Sequence, residues 1–325
     1  MKSLASAFTE LIGRNLYLVV YGTAPKEFDG INAFPTQKRK RHRTLFYFFW
    51  FPRFLRRERL SKSDVVFFSN DPYLLLIFIF WRKVLRSPYK ICADWHLLFE
   101  DWKDDVIARN CDWGISTTQR LKDLAVAKCG ASPEKILVAY GGIDQDLLSN
   151  SVLREKETIR VEFSLPKDKF LIGYAGTFRS LGLEKGLTTM IRALSRLPSH
   201  MHMVFVGGTK EQIPEYEALA EEEGVRERCI FIGRPPFEKI TQYELAMDVL
   251  VIPYPNQPHF RDYGFPIKVW EYMATGRPIL YSDLEIISEV LSRKATAFIP
   301  DSFQSLAEAV LNIEKNYEKA EQVSR

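Results

Sequence analysis

Cysteine is scarce in this sequence of 325 residues and never close-set: Cys92, Cys111, Cys129 and Cys229 form no C-x-x-C pair. That excludes a disulfide framework and the usual zinc spacings, and it fits a reduced, cytoplasmic setting. Long apolar runs are missing as well. No stretch reaches the roughly 20 residues that span a bilayer, and acidic Glu10 stands where a secretory leader carries its apolar run. A membrane-spanning or secreted chain is therefore not expected. Negative charge is thin at one end only: residues 1–90 hold 17 Lys/Arg against 6 Asp/Glu, a net +11, while the whole chain carries +4. The N-terminal part should prefer an anionic surface or ligand.

What is present is a rhythm. Short apolar runs alternate with helical patterns along nearly the whole chain, which argues for an α/β fold of parallel sheets covered by helices. Strands are expected at Leu16–Val20, Val65–Ser69, Tyr89–Ala93, Trp113–Ser116 and Ile136–Ala139. A second series is expected at Phe170–Ala175, His202–Val206, Cys229–Ile232, Val249–Ile252, Ile279–Tyr281 and Ala297–Ile299. With 46% hydrophobic residues the chain can fill two cores. The diglycine Gly141-Gly142 and the charged stretch Arg154–Glu157 interrupt the rhythm, which divides the chain into an N-terminal domain, 1–155, and a C-terminal domain, 156–325. In doubly wound sheets ligands sit beyond the carboxyl ends of the strands, here the loops after Ala175, Val206, Ile232 and Ile252.

Two segments carry chemistry. Tyr174-Ala175-Gly176-Thr177-Phe178-Arg179 precedes Glu184-Lys185-Gly186 and the helical pattern Leu187–Leu197. A glycine turn between strand and helix exposes backbone N–H groups and a positive helix end, which suits phosphate, and Arg179 and Lys185 can neutralise a diphosphate. Many strand–turn–helix corners look alike, so this segment alone specifies no ligand. The second segment is Tyr263-Gly264-Phe265-Pro266-Ile267-Lys268-Val269-Trp270-Glu271-Tyr272-Met273-Ala274-Thr275-Gly276-Arg277-Pro278. It reads as a turn, a helix carrying Glu271 and a Gly-x-Pro stop, where a carboxylate can accept hydrogen bonds from the two vicinal hydroxyls of a ribose.

With these motifs in order, the chain resembles the retaining family-4 glycosyltransferases, in the variant whose signature is P-x-K-x-x-E-Y-M-A-x-G-x-P. The similarity covers roughly residues 4–315, through GYAGTF, EKG, MVFVGG, FIGRPP and YELAMDVLVIPYP in the C-terminal half, and more loosely through SDVVFFSNDPYLLL, ADWHLLFEDW, CDWGISTTQRLKDL and EKILVAYGGID before it. The resemblance implies a GT-B fold, two Rossmann-like doubly wound domains facing across a cleft. It also implies retaining transfer of a sugar from a UDP- or GDP-linked donor to a glycan or lipid-linked acceptor, with no cofactor. Residue by residue, Glu271 is implied to hold the ribose, Lys185 and Arg179 to face the diphosphate, and the turn Gly233-Arg234-Pro235 to meet the base through its backbone. Gly176, Thr177, Tyr263, Gly264, Phe265, Pro266 and Lys268 complete the donor side. His96, in the position of the family's D-x-H segment, is implied to approach the donor sugar and the reacting centre.

The match also has gaps. The family pairs two glutamates, and eight positions before Glu271 stands Tyr263, with Asp262 and Lys268 nearby to replace the contact. The basic residue expected after the glycine of the first strand is Thr177, its role passing to Arg179. MKSLASAFTELIGRNLYLVVYG aligns with the first helix and second strand of the usual N-terminal domain, so the opening strand and its acceptor loop are expected to be missing. These gaps keep a catalytically silent nucleotide- or partner-binding module, and a nucleotide-sugar epimerase or hydrolase, open beside the transferase.

A retaining transfer stabilises a departing diphosphate, and fixed positive groups can do so without a metal. Asp144-Gln145-Asp146 matches a metal-binding D-x-D string but follows the diglycine, where the family has a structural turn; Asp101, Asp104 and Asp105 read as a solvated helix face. Finally, Lys38-Arg39-Lys40-Arg41-His42-Arg43 runs into an aromatic stretch, Leu45 to Phe54, with Phe48 and Trp50. This is either a core helix beside a solvated basic loop or a peripheral contact with an anionic membrane surface, at the inner face of the cell membrane. No nucleic-acid module surrounds it.

Overall fold

A computed structural model of the chain describes residues 17–21, 32–36, 43–143 and 155–324. The chain divides into two compact units, Met1–Ile115 with Leu124–Leu137, and Ser116–Asp123 with Val138–Arg325.

In the first unit, β1 (Tyr17–Tyr21) and β2 (Asn32–Thr36) pair in parallel as a sheet of their own. The strand β2 is a departure from the sequence reading: Asn-Ala-Phe-Pro-Thr has neither an apolar run nor alternation to mark it. Residues 1–16, on which the expectation of a missing opening strand turns, lie outside the described residues. The aromatic stretch forms α1 (Arg43–Arg57), whose buried side chains Tyr47, Phe51, Phe54 and Leu55 recur at helical spacing and make one face. Pro52 sits inside this helix and cannot donate to the carbonyl of Phe48. The indole Nε1 of Trp81 supplies the missing donor to that carbonyl, at 2.8 Å. Then β3 (Val66–Ser69), α2 (Pro72–Leu85), β4 (Lys90–Trp95), α3 (Trp102–Asn110), β5 (Trp113–Ser116), α4 (Gln119–Cys129) and β6 (Ile136–Val138) alternate, with the strands in the order β3-β4-β5-β6. Phe51 packs into this layer against Phe67, Phe78 and Tyr89, with ring centroids 4.7–6.0 Å apart.

The second unit opens with α5 (Lys156–Glu162) and β7 (Phe170–Ala175), followed by the short hairpin β8 (Arg179–Ser180) and β9 (Leu183–Glu184). After it come α6 (Leu187–Leu194), β10 (Met201–Val206), α7 (Ile213–Glu222), β11 (Cys229–Ile232), α8 (Phe237–Ala246) and β12 (Val249–Ile252). The last elements are α9 (Lys268–Thr275), β13 (Ile279–Ser282), α10 (Glu285–Leu291), β14 (Thr296–Phe298), α11 (Phe303–Lys315) and α12 (Tyr317–Ser324). Six strands lie parallel in the order β11-β10-β7-β12-β13-β14. The first strand of the unit is thus internal, and the chain winds outward on one side of it and then on the other. That is the Rossmann order; the first unit shares the alternation of strand and helix, and both are Rossmann-like α/β layers.

Both faces of the sheet are covered, which is why its strands read as unbroken apolar runs. Ile172 and Tyr174 of β7 bury into one core with Met190, Leu194 and Met203; Leu171 and Ala175 bury into the other with Leu250, Ile252 and Tyr272. Arg160 anchors α5 to this frame from a buried position, donating to Asp248 at 2.6 Å and to the carbonyls of Ala246 and Lys169 at 2.8 and 3.1 Å. Winding that reverses between β7 and β12 leaves a crevice at their carboxyl ends, the place where such sheets take ligands.

Candidate functional site

The crevice at the end of β7 begins with Gly176, whose φ is +143°. A Cβ there would lie 1.9 Å from Nζ and 2.3 Å from Cε of Lys268, so the lysine end lies directly over the bare backbone, at a φ that residues with side chains rarely adopt. Across the crevice, Gly186 at φ +89° presses the start of α6 onto the chain leaving β12: a Cβ would come within 1.7 Å of the Pro253 carbonyl oxygen. These two close approaches set Lys185 and Lys268 around one turn.

Lys185 is buried, and its Nζ donates to Oγ1 of Thr177 at 2.8 Å and lies 5.8 Å from the ring centre of Tyr254. Burial, and then the charge of Lys268, pull its pKa down to about 8. Lys268 is held lower than an ordinary lysine by burial, against the pull of the Glu271 and Glu244 carboxylates. Its Nζ stands 5.4 Å from the ring of Tyr174. Two cations with this little compensation, beside an exposed Thr177, are a cradle for a polyanion.

The backbone contributes less than the sequence suggests. The N–H of Gly176 is spent on the carbonyl of Val206 at 2.7 Å, which leaves that of Thr177. The first amides of α6 are also taken: the Glu184 carboxylate accepts from Gly186 N at 2.8 Å and from Leu187 N at 2.6 Å, capping the helix that was expected to offer them to phosphate. Arg179 likewise is engaged, forking onto both oxygens of Glu215 at 2.6 and 2.8 Å.

Glu271 lies in the first turn of α9, half-buried, and among the described residues no side chain hydrogen-bonds its carboxylate. Its neighbour Tyr272 is fully buried and its hydroxyl accepts from Ala175 N at 3.0 Å, tying α9 to the end of β7. The loop before α9 turns through Tyr263 and Gly264, whose N–H donates to the His259 carbonyl at 2.6 Å, to Phe265 and the buried Pro266. The ring of Phe265 is 6.1 Å from that of Trp270. Of the two side chains considered as replacements for a first glutamate, Asp262 is buried and clamped by Arg261 at 2.7 and 3.1 Å, while Lys268 reaches the turn. Gly233 and Arg234 follow β11 on the exposed side, and the Gly233 carbonyl accepts from Gly207 N at 3.2 Å.

One member of this cluster escaped the sequence reading. Glu244 of α8 is buried, and among the described residues neither carboxylate oxygen has a hydrogen-bond partner. Burial, then the Glu271 charge, push its pKa up to about 8 against the pull of Lys268. The signal was available: Ile240, Tyr243, Glu244 and Met247 share one helical face, so a carboxylate stands where the pattern asks for an apolar residue.

In the first unit, His96 follows β4 and is exposed, with Nε2 3.0 Å from Oδ2 of Asp94; that hydrogen bond, against partial burial, raises its pKa. It borders a cavity of about 190 Å³ lined by Asn70, Asp94, Trp95, Phe99 and Asp104 among others. Asp104 is therefore not part of a solvated face: it is buried and accepts from Glu100 N at 2.7 Å. Among the described residues no three of His, Cys, Asp or Glu are grouped to hold a metal ion, and Asp144 and Asp146 lie outside those residues. Lys38, Arg39, Lys40 and Arg41 also lie outside them. Arg43 pairs with Asp71 at the start of α2, Phe48 packs on Phe80 and Trp81, and Trp50 stacks on Phe54 at 4.4 Å. Half of the aromatic stretch is thus core, and the exposed apolar side chains include Leu45 and Phe49 of α1 with Phe80, Val84 and Leu85 of α2.

A family model described as glycosyl transferases group 1 matches residues 155–325. A D-inositol 3-phosphate glycosyltransferase of Xylanimonas cellulosilytica is 28% identical over 213 residues, 63% of this chain and 48% of that protein. The chain spans about half the length of the curated relatives it matches. Among solved structures, HepE of Anabaena in complex with UDP superimposes with a TM-score of 0.75 at 16% identity, over 99% of this chain and 89% of that one. A sucrose-phosphate synthase from Thermosynechococcus elongatus does so with a TM-score of 0.72 at 17% identity, over 99% and 85%. These likenesses show a GT-B-type fold.

Proposed function

Since the chain belongs to the glycosyl transferases group 1 family, we propose that it moves a sugar from a UDP- or GDP-linked donor to a glycan or lipid-linked acceptor, with retention and without a metal. The observation that carries this reading is the pair of lysines, Lys185 and Lys268, set around the Gly176–Thr177 turn at the crevice between β7 and β12. The solved complexes of HepE with UDP and with UDP-glucose support a nucleotide-sugar donor. The donor is read in parts: Glu271 takes the ribose hydroxyls, the turn at Gly233 and Arg234 takes the base, and Tyr263 to Pro266 shape the sugar end. As the glycosidic bond lengthens, charge builds on the departing diphosphate, and the ammonium groups of Lys185 and Lys268 stabilise it by more than they stabilise the bound donor.

UDP release from UDP-glucose, measured with a panel of glycan and glycolipid acceptors, tests the reading. Release that needs an acceptor and is unchanged by EDTA is expected; release abolished by EDTA and restored by Mn²⁺ contradicts the metal-free mechanism. Tyr263 in place of a glutamate favours one second reading, a silent nucleotide-binding module, which predicts UDP binding with no release on any acceptor.

No described helix is long and apolar enough to cross a membrane, and we place the protein peripherally at the cytoplasmic face. In support, Leu45, Phe49, Phe80, Val84 and Leu85 are exposed within a region rich in Lys and Arg. The protein should sediment with vesicles containing anionic lipid and much less with neutral ones, each basic residue adding about 1 kcal/mol. At 1 M salt, where screening extends only ~3 Å, most of that binding should disappear. Equal sedimentation with both vesicle types, or with neither, would remove the membrane from the account.

A further inference from the structure

We propose that Glu244 is a positioning residue of the donor site: protonated, it leaves the Lys268 ammonium to the diphosphate; ionised, it adds a buried negative charge to the cluster around Lys268 and weakens donor binding. The inference rests on the donor reading given above and extends it to a residue on a different helix.

Glu244 is 1% exposed and among the described residues both of its oxygens lack a hydrogen-bond partner, an arrangement that is costly for an ionised carboxylate. Its helix packs on α5, β7 and α9. From α5, Arg160 and Lys156 are both committed to Asp248. From β7, Tyr174 keeps its proton because burial raises its pKa far above the usual range, and Tyr272 of α9 does the same. On α8 itself Tyr243 is raised by burial. That leaves Lys268 and Glu271 of α9 as the charges Glu244 answers to. Lys268 has no carboxylate within ion-pair distance among the described residues, so its ammonium is available above Gly176.

The proton on Glu244 therefore sets the charge that the cluster presents. With Glu244 neutral, Lys185 and Lys268 face one carboxylate, Glu271, and the site is net positive. With Glu244 ionised, a second anion offsets the positive charge of the cluster, and an incoming diphosphate meets a less positive site. Donor binding then takes up a proton, because the bound diphosphate favours the neutral carboxyl.

Glu244→Gln copies the neutral form in shape and charge. UDP affinity, measured by calorimetry on the full chain at pH 7 and pH 9, separates the outcomes. The variant should match the wild type within about twofold at pH 7 and bind UDP more tightly at pH 9, by up to about tenfold, with fewer protons taken up per UDP in buffers of different ionisation enthalpy. The nucleotide's own ionisation is common to both proteins and cancels. Equal pH profiles for the two proteins overturn the proposal, as does weaker binding by the variant at both pH values. Failure of Glu244→Gln to fold also overturns it, since the ionised carboxylate would then belong to the folding of the domain. Absence of UDP and GDP binding in the wild type is a different result: it removes the donor reading itself.

Discussion

UDP or GDP at a hundred times its dissociation constant is expected to stabilise the protein by about 2.7 kcal/mol, and Glu271→Ala to abolish most of that gain. The carboxylate stands in the first turn of α9 with no hydrogen bond among the described residues, so its removal leaves no donor stranded in the empty protein. What it costs appears only with nucleotide present. Hydrogen bonds to a charged group contribute about 1.5–3 kcal/mol each, and the loss of roughly 3 kcal/mol lowers affinity by more than a hundredfold. At the same nucleotide concentration the remaining stabilisation is then below about 0.4 kcal/mol. Melting curves of both proteins with and without nucleotide check this. A variant as strongly stabilised as the wild type would place the ribose elsewhere.

UDP affinity should also fall as the solution is made alkaline, because of Lys185. Burial and the Lys268 charge hold its pKa down to about 8 in the empty site. A bound diphosphate favours the ammonium and raises that pKa, so binding takes up a proton. The favourable contribution is complete below pH 8 and is lost as pH rises toward the bound value, by up to about tenfold per pH unit. Lys185→Met removes both the cation and its titration. It should bind UDP about 10- to 100-fold more weakly at pH 7, the loss of one charge-assisted contact of 1.5–3 kcal/mol, and its affinity should vary less from pH 7 to 9. A wild-type profile flat through pH 9 would mean that Lys185 does not touch the phosphates.

The legible parts of this chain were those fixed by local pattern. Strands such as Phe170–Ala175, Cys229–Ile232 and Val249–Ile252 are short apolar runs between turns, because a parallel sheet covered on both faces needs just that. A core helix was one of two alternatives for the aromatic stretch, and the spacing of Tyr47, Phe51, Phe54 and Leu55 does not say which of the other rings faces water and which packs on Trp81. β2 was missed because a five-residue strand containing proline has no pattern to read. At the site, the glycines and charged residues were visible as types. Their partners were not: the cap that Glu184 places on α6, the fork of Arg179 on Glu215 and the reach of Lys268 over Gly176 depend on side-chain directions set by tertiary packing. Glu244 was masked for a different reason, since a charged residue in a helix is ordinarily solvated.

The most direct measurement is the position of the nucleotide in a crystal of the full chain grown with UDP. The diphosphate is predicted within hydrogen-bond distance of Lys185 Nζ, Lys268 Nζ and the Thr177 N–H, with the ribose hydroxyls on Glu271. UDP lodged instead in the cavity beside His96, or bound by contacts that include none of Lys185, Lys268 and Glu271, would contradict the donor site.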